Sequence, residues 1–156
     1  MPMYPASRID DDPFCLEQLG DGVPRTARIL LAEDDREMRC LLSWTLEHDG
    51  YEVVEAENGI ELLQRLEPAL LVKPGAMPRR DFDLVISDLR MPCFSAFAVL
   101  GSFRKHDPVT PVILITAFGD AATHEEAHAL GVTAVIDKPL DVDQLRAQVR
   151  KLIRKS

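Results

Sequence analysis

Five short apolar runs recur along this chain: RILLA (28–32), YEVVEA (51–56), DLVIS (83–87), VILIT (112–116) and TAVI (133–136). Continuous runs of this length, rich in β-branched residues and bounded by turn signals, suit strands buried on both faces. Between them the period changes to that of a helix. Met38, Leu41, Leu42, Thr45 and Leu46 fall at helical spacing until Gly50 stops them. Asn58 and Glu61 form a capping-box pair that opens a helix through Leu62, Leu63 and Leu66. Residues 95–106 and 120–130 carry two more helical segments, and a fifth starts at Asp141 with Gln144 in the capping-box position, burying Leu145, Val149, Leu152 and Ile153 on one side. Parallel strands need crossover connections, and helices supply them. The alternation therefore predicts a doubly wound α/β fold, a five-stranded parallel sheet with helices on both faces.

The remaining segments lack periodicity. Residues 1–26 carry four prolines, the acidic triplet Asp10 to Asp12 and Gly20-Asp21-Gly22, and read as a flexible leader with a helical turn around Phe14 to Leu19. PALLVKPGAMPRRD (68–81) reads as an exposed insertion within a single domain spanning 27–156. A chain of 156 residues, 46% apolar, buries one core and leaves little for a second. The net charge of −8 argues against direct nucleic-acid binding, which needs a clustered basic face. No apolar segment approaches the ~18 residues of a membrane span, so no membrane partner and a cytoplasmic location are expected. Cys15, Cys40 and Cys93 are scattered with no C-x-x-C pair, which suits a reducing compartment.

In a doubly wound sheet the ligand crevice lies beyond the carboxyl ends of the strands. Glu33 and Asp34 follow the first strand, Asp88 closes the third, Thr116 closes the fourth, and Lys138 stands just past the fifth. Topology alone brings these five to one edge. Two carboxylates ~4 Å apart at an effective dielectric near 20 repel by ~4 kcal/mol, so three together call for a cation or a proton. Oxygen-only ligands suit Mg2+, which keeps several waters and is typically completed by a phosphate. With Lys138 and Thr116 facing the same crevice, a phosphoryl group fits, and Asp88 is placed as the carboxylate nucleophile that accepts it.

AEDDREMR, LVISDLRMP, ILITAF and VIDKPL, in that order and spacing, resemble the receiver domain of two-component response regulators, of the chemotaxis-receiver type, over about residues 28–154. The resemblance implies the flavodoxin-like strand order 2-1-3-4-5. It implies that Asp88 is the phosphoacceptor and Asp34 a direct Mg2+ ligand, with Glu33 acting through water and the Arg90 backbone carbonyl as a further ligand. Thr116, Lys138 and the Ala117 backbone would bind phosphoryl oxygens, and the Lys138-Pro139 peptide would be cis. The implied partners are a histidine kinase or histidine phosphotransfer protein, read mainly by the first helix, and a downstream protein. A homodimer would form through the face of the fourth helix, fifth strand and fifth helix. The implied chemistry is self-catalysed phosphotransfer in a signalling domain, with no enzyme activity of its own. The chain ends eighteen residues after Lys138, which leaves room for the last helix and predicts a single-domain regulator.

Some positions depart from that family's pattern. Val135 occupies a position where an aromatic ring is common, three residues before the lysine, which removes the ring switch. Ala96 stands where a glycine usually ends the loop after the phosphoacceptor. Arg90 and Phe118 are bulky and flank the expected water path, and are expected to slow hydrolysis of the phosphoaspartate. Val135 and Ala96 also fit an interaction module without regulated phosphorylation. HEEAH (124–128) matches the zinc-protease pattern H-E-x-x-H through His124, Glu125 and His128. Its helix has Thr123, Ala127 and Leu130 as the inward stripe, which leaves the histidines on a wetter face and favours a solvated surface over a metal site.

Overall fold

The computed structural model describes residues 25–73, 76, 80–92, 95–117, 119 and 121–155. Strands β1 (Arg28–Ala32), β2 (Glu52–Ala56), β3 (Leu84–Asp88), β4 (Val112–Thr116) and β5 (Ala134–Asp137) form one parallel sheet in the order β2-β1-β3-β4-β5. Helices α1 (Arg36–His48), α2 (Gly59–Leu70), α3 (Ala96–His106), α4 (Ala121–Ala129) and α5 (Val142–Lys155) supply the crossovers. The predicted α/β class and strand order are those observed. The helical turn around Phe14 to Leu19, Cys15, Cys93, Phe118 and most of the leader lie outside the described residues, as do residues 74, 75 and 77–79 of the insertion.

The sheet divides its side chains between two cores because successive residues of a strand point to opposite faces. Ile29, Leu31, Leu84, Ile86, Ile113 and Ile115 pack under α1 and α5, against Leu42, Leu46, Leu145 and Val149. Leu30, Ala32, Val85, Val112 and Leu114 face α2, α3 and α4, where Leu62, Leu66, Leu100, Phe103 and Ala127 meet them. All five residues of β3 and of β4 are buried, which accounts for their unbroken apolar sequences. The edge strand β2 keeps Glu52 and Glu55 outward, paired with Arg28 and Arg39 at 3.1 Å each.

Local signals set most helix starts. The Asp35 side chain accepts from the amides of Glu37 and Met38, Ser95 accepts from Phe97, and Asp141 accepts from Asp143 and Gln144. Asp141 is thus the cap, and α5 begins one residue after it. Asn58 accepts from the Glu61 amide at 2.8 Å, and Glu61 Oε1 reaches back to the Glu57 amide at 2.9 Å. Gly50 ends α1 at φ +101°, a conformation that side chains with Cβ resist.

Two details differ from the sequence expectation. Helix α2 runs through Pro68 to Leu70, so the exposed segment begins at Leu71 and not at Pro68. Proline lacks only its own donor, in the last turn, while burial of Ala69 and the Leu71 amide bond to Glu67 O at 3.1 Å hold the helix on course. In α1 the inward stripe is Leu42 and Leu46 with Met38 packed beside them, while Leu41 is exposed. Helical spacing alone does not choose between adjacent leucines.

Candidate functional site

Parallel pairing delivers the site residues to one edge. Ala32 lies opposite Ser87, Asp88 opposite Ile115, and Thr116 opposite Asp137. Residues that follow these positions therefore emerge together at the carboxyl end of the sheet. The ladder continues just beyond the strands: Lys138 N–H donates to Thr116 O at 2.8 Å, Leu89 N–H to Ile115 O at 2.9 Å, and Glu33 N–H to Ala56 O at 3.0 Å. The Lys138-Pro139 peptide is cis, as the resemblance implied.

The Asp88 carboxylate, 5% exposed, has partners on both oxygens. Lys138 Nζ donates to Oδ2 at 2.8 Å, and the Arg90 backbone N–H donates to Oδ1 at 3.1 Å. Glu33 is 1% exposed. Its Oε2 accepts from the Asp35 amide at 3.0 Å, whereas its Oε1 has no hydrogen-bond partner, with Lys138 Nζ 3.8 Å away. Asp34 is exposed at the mouth of the crevice. Carboxylate oxygens of Glu33, Asp34 and Asp88 lie within 4.8 Å of one another, and among the described residues no other group of three His, Cys, Asp or Glu does so.

This crowding shows in the protonation equilibria. Burial above all pushes the Glu33 carboxyl up to about 7; the Asp88 charge adds to the rise, while the Asp35 amide and Lys138 oppose it. For Lys138 burial favours the neutral amine, but the hydrogen bond to Asp88 and the charges of Asp88, Glu33 and Asp34 outweigh it and hold the pKa above its ordinary value. One ammonium thus serves three carboxylates. The buried, unpartnered Glu33 Oε1 and the surplus negative charge fit a small oxygen-binding cation, and the ligand chemistry is that of Mg2+ rather than a thiolate- or imidazole-seeking metal.

Thr116 is buried at the same edge, and Ala117 follows it, exposed, in the loop. Val135 is half-buried and packs against the core under α4, and Ala96 is buried as the first residue of α3. The HEEAH segment lies on α4 as expected of a solvated face: Glu125 and His128 are exposed, and His124 Nε2 is 3.2 Å from Asp137 Oδ1.

Three supporting residues escaped the sequence reading. Arg39 donates to the Glu33 carbonyl at 2.8 Å while also pairing with Glu55, which ties α1 and β2 to the acidic loop. Ser87 Oγ donates to Asp88 O at 2.9 Å beneath the crevice. Asp35 both caps α1 and offers its amide to Glu33. Only Asp35 carried a local signal, since an aspartate before a helical run reads as an N-cap; the other two act across elements that are distant until the chain folds.

Comparison with known proteins agrees with this geometry. A family profile described as the response regulator receiver domain matches residues 29–150. The transcriptional regulatory protein GlrR of Escherichia coli is 34% identical over 132 residues, covering 85% of this chain and 27% of that protein. Sporulation initiation phosphotransferase F of Bacillus subtilis is 29% identical over 126 residues, covering 81% of this chain and 93% of the relative. Among solved structures, the response regulator protein TrrA of Thermotoga maritima, in complex with Mg(2+)-BeF, is 31% identical with a TM-score of 0.67, covering 81% of this chain and 99% of that one. The chain spans from 25% to 52% of the length of the first curated relatives it matches, apart from the phosphotransferase. With the strand order, the edge residues and the profile in agreement over most of its length, the chain belongs to the response regulator receiver domain family.

Proposed function

We propose that this chain is a phosphoacceptor: a partner's phosphohistidine passes its phosphoryl group to Asp88, and the change in charge alters binding to a downstream protein. The observation that carries this reading is the Asp88 carboxylate itself, buried at a strand end and aimed by Lys138 Nζ at 2.8 Å and the Arg90 amide at 3.1 Å. An oxygen of Asp88 attacks phosphorus in line; the new O–P bond forms as the P–N bond breaks, and the imidazole leaves with the electron pair. Lys138, already ionised, turns from the carboxylate toward the phosphoryl oxygens and balances their charge. Asp34, Asp88 and the Arg90 carbonyl would hold Mg2+ directly, with Glu33 through water, and the ion would supply further neutralisation of the phosphoryl oxygens. Thr116 and the Ala117 amide serve the modified state by hydrogen bonding to those oxygens.

Moving an equilibrium from 1:99 to 99:1 takes ~5.5 kcal/mol. Hydrogen bonds to charged groups contribute ~1.5–3 kcal/mol each, so Thr116 alone is insufficient and the Lys138 and Ala117 contacts must change with it. With Val135 in place of a ring, the shift is carried by the loops after β3 and β4. We read residues 27–156 as the receiver unit of a single-domain regulator. Its partners are a histidine kinase or histidine phosphotransfer protein, and it acts in the cytoplasm. Among the described residues no helix is long and apolar enough to cross a membrane.

Incubation with Mg2+ and a small acyl phosphate, followed by intact mass, tests the proposal. One added phosphoryl group on the wild type and none on Asp88→Asn is expected. An unmodified wild type, or equal modification of the variant, refutes it and leaves the receiver-like interaction module as the reading.

A further inference from the structure

Glu33 is held at every polar atom but one. Its N–H donates to Ala56 O at 3.0 Å, its Oε2 accepts from the Asp35 amide at 3.0 Å, and its carbonyl accepts from Arg39 Nη1 at 2.8 Å. Oε1 alone lacks a hydrogen-bond partner. Asp34, next in the chain, is clamped from both sides. The Glu33 carbonyl before it is bound by the Arg39 side chain, and the Asp35 carbonyl after it accepts from the Arg39 backbone N–H at 2.8 Å. A single residue of α1 thus fixes the backbone on either side of the exposed carboxylate at the mouth of the crevice.

Arg39 is itself braced. Its Nε donates to Glu55 Oε1 at 3.1 Å and its Nη2 lies 3.6 Å from Glu57 Oε2, while the other Glu55 oxygen accepts from the buried Ser43 hydroxyl at 2.9 Å. The Arg39 side chain is 11% exposed, although both carboxylates that face it are exposed. Ion pairs with exposed partners contribute little to stability, and a positive charge one peptide from a cation site opposes the cation. Neither stability nor attraction accounts for Arg39 here. What the guanidinium supplies is a rigid planar fork that serves Glu55 and the Glu33 carbonyl at once, which a lysine cannot do.

We propose that Arg39 is a positioning residue for the divalent cation: braced by Glu55 and Ser43, its guanidinium holds the backbone of residues 33–35 so that the Glu33 and Asp34 carboxylates stay beside Asp88. This rests on the reading of the acidic edge as a Mg2+ site. The three carboxylates already lie within 4.8 Å of one another, and Mg2+ tolerates little departure from octahedral geometry. A loop released from Arg39 therefore loses affinity for the ion even where the sheet beneath it is intact. Groups that orient metal ligands from outside the coordination sphere typically change affinity by about 10- to 100-fold when removed.

Mg2+ binding is measured by titration calorimetry on the unphosphorylated full chain, with urea unfolding in the absence of divalent cations alongside. Arg39→Met keeps the apolar stem and removes both fork and charge, and is expected to raise the Mg2+ Kd about 10-fold or more. Charge alone gives the opposite sign, because loss of a nearby cation tightens Mg2+ binding. Arg39→Lys keeps the charge without the fork and is expected to bind within about threefold of Arg39→Met. Ser43→Ala changes no charge and leaves Arg39 in place, so it carries the test if Arg39→Met does not fold. Loss of its brace on Glu55 is expected to weaken Mg2+ binding about threefold. Equal or tighter binding by Arg39→Met overturns the proposal, as does wild-type affinity in Arg39→Lys or in Ser43→Ala. A wild type that binds no Mg2+ overturns the metal reading of the edge itself, a result distinct from wild type and Arg39→Met binding equally.

Discussion

Glu33 makes stability depend on pH in a direction opposite to that of most paired carboxylates. Its folded pKa is about 7 against an ordinary value of 4.5, chiefly because the group is buried, with the Asp88 charge adding to the effect. A raised pKa means that the folded state binds a proton the unfolded chain has released, so the contribution is full below pH 4.5 and is lost as pH rises through about 7. Applying the two values to the linkage relation gives a loss on the order of 2–3 kcal/mol between about pH 5 and about pH 8. Glu33→Gln removes the titration, so the variant should lack this component while keeping a side chain of the same size. Urea unfolding without divalent cations, at those two pH values, measures it. Wild type should become less stable relative to Glu33→Gln, by an amount on the order of 2–3 kcal/mol, on going to the higher pH. Parallel pH dependence of the two proteins would refute the assignment of the buried charge to Glu33.

Other perturbations probe separate parts of the structure. Mg2+ affinity measured by calorimetry should fall as pH drops below about 7, since the proton on Glu33 competes with the cation. Thr116→Ala should still accept a phosphoryl group by intact mass, yet the modified protein should lose most of its altered affinity for a downstream partner, because a hydrogen bond of ~1.5–3 kcal/mol to the charged group is gone. Leu114→Ala, at a position 1% exposed in β4, should cost about 2–5 kcal/mol in urea unfolding without shifting the pH profile. Arg104 donates to the carbonyls of Asp107, Thr110 and Gly131. Its replacement by Ala should destabilise by about 1–3 kcal/mol and raise hydrogen exchange in the turns before β4 and β5.

Much of this architecture was written in local pattern. The strands were legible because RILLA, DLVIS and VILIT are buried on both faces and so carry no polar interruption. The helix starts at Asn58 and Asp141 were legible because a cap acts within three residues of itself. Convergence of Glu33, Asp34, Asp88, Thr116 and Lys138 followed from topology, since parallel strands put all their carboxyl ends on one edge. These conclusions need only periodicity, capping chemistry and the handedness of crossovers, which short stretches of sequence encode directly.

Tertiary structure decided what depends on distance between remote residues. Whether Glu33 ionises near neutral pH is set by how deeply β1 and β3 bury it and by the Asp88 charge beside it, neither of which the word EDD contains. The reach of Arg39 to the Glu33 carbonyl and the grip of Arg146 on Asp49 join positions 6 and 97 residues apart in the chain. Pro68 stayed helical because Ala69 had a core to enter, and Leu41 stayed outside because Leu42 took the inward place. Sequence determines what each element is and where a capped helix starts; only packing determines how far α2 runs past Pro68, which charges meet and which side chain faces the core.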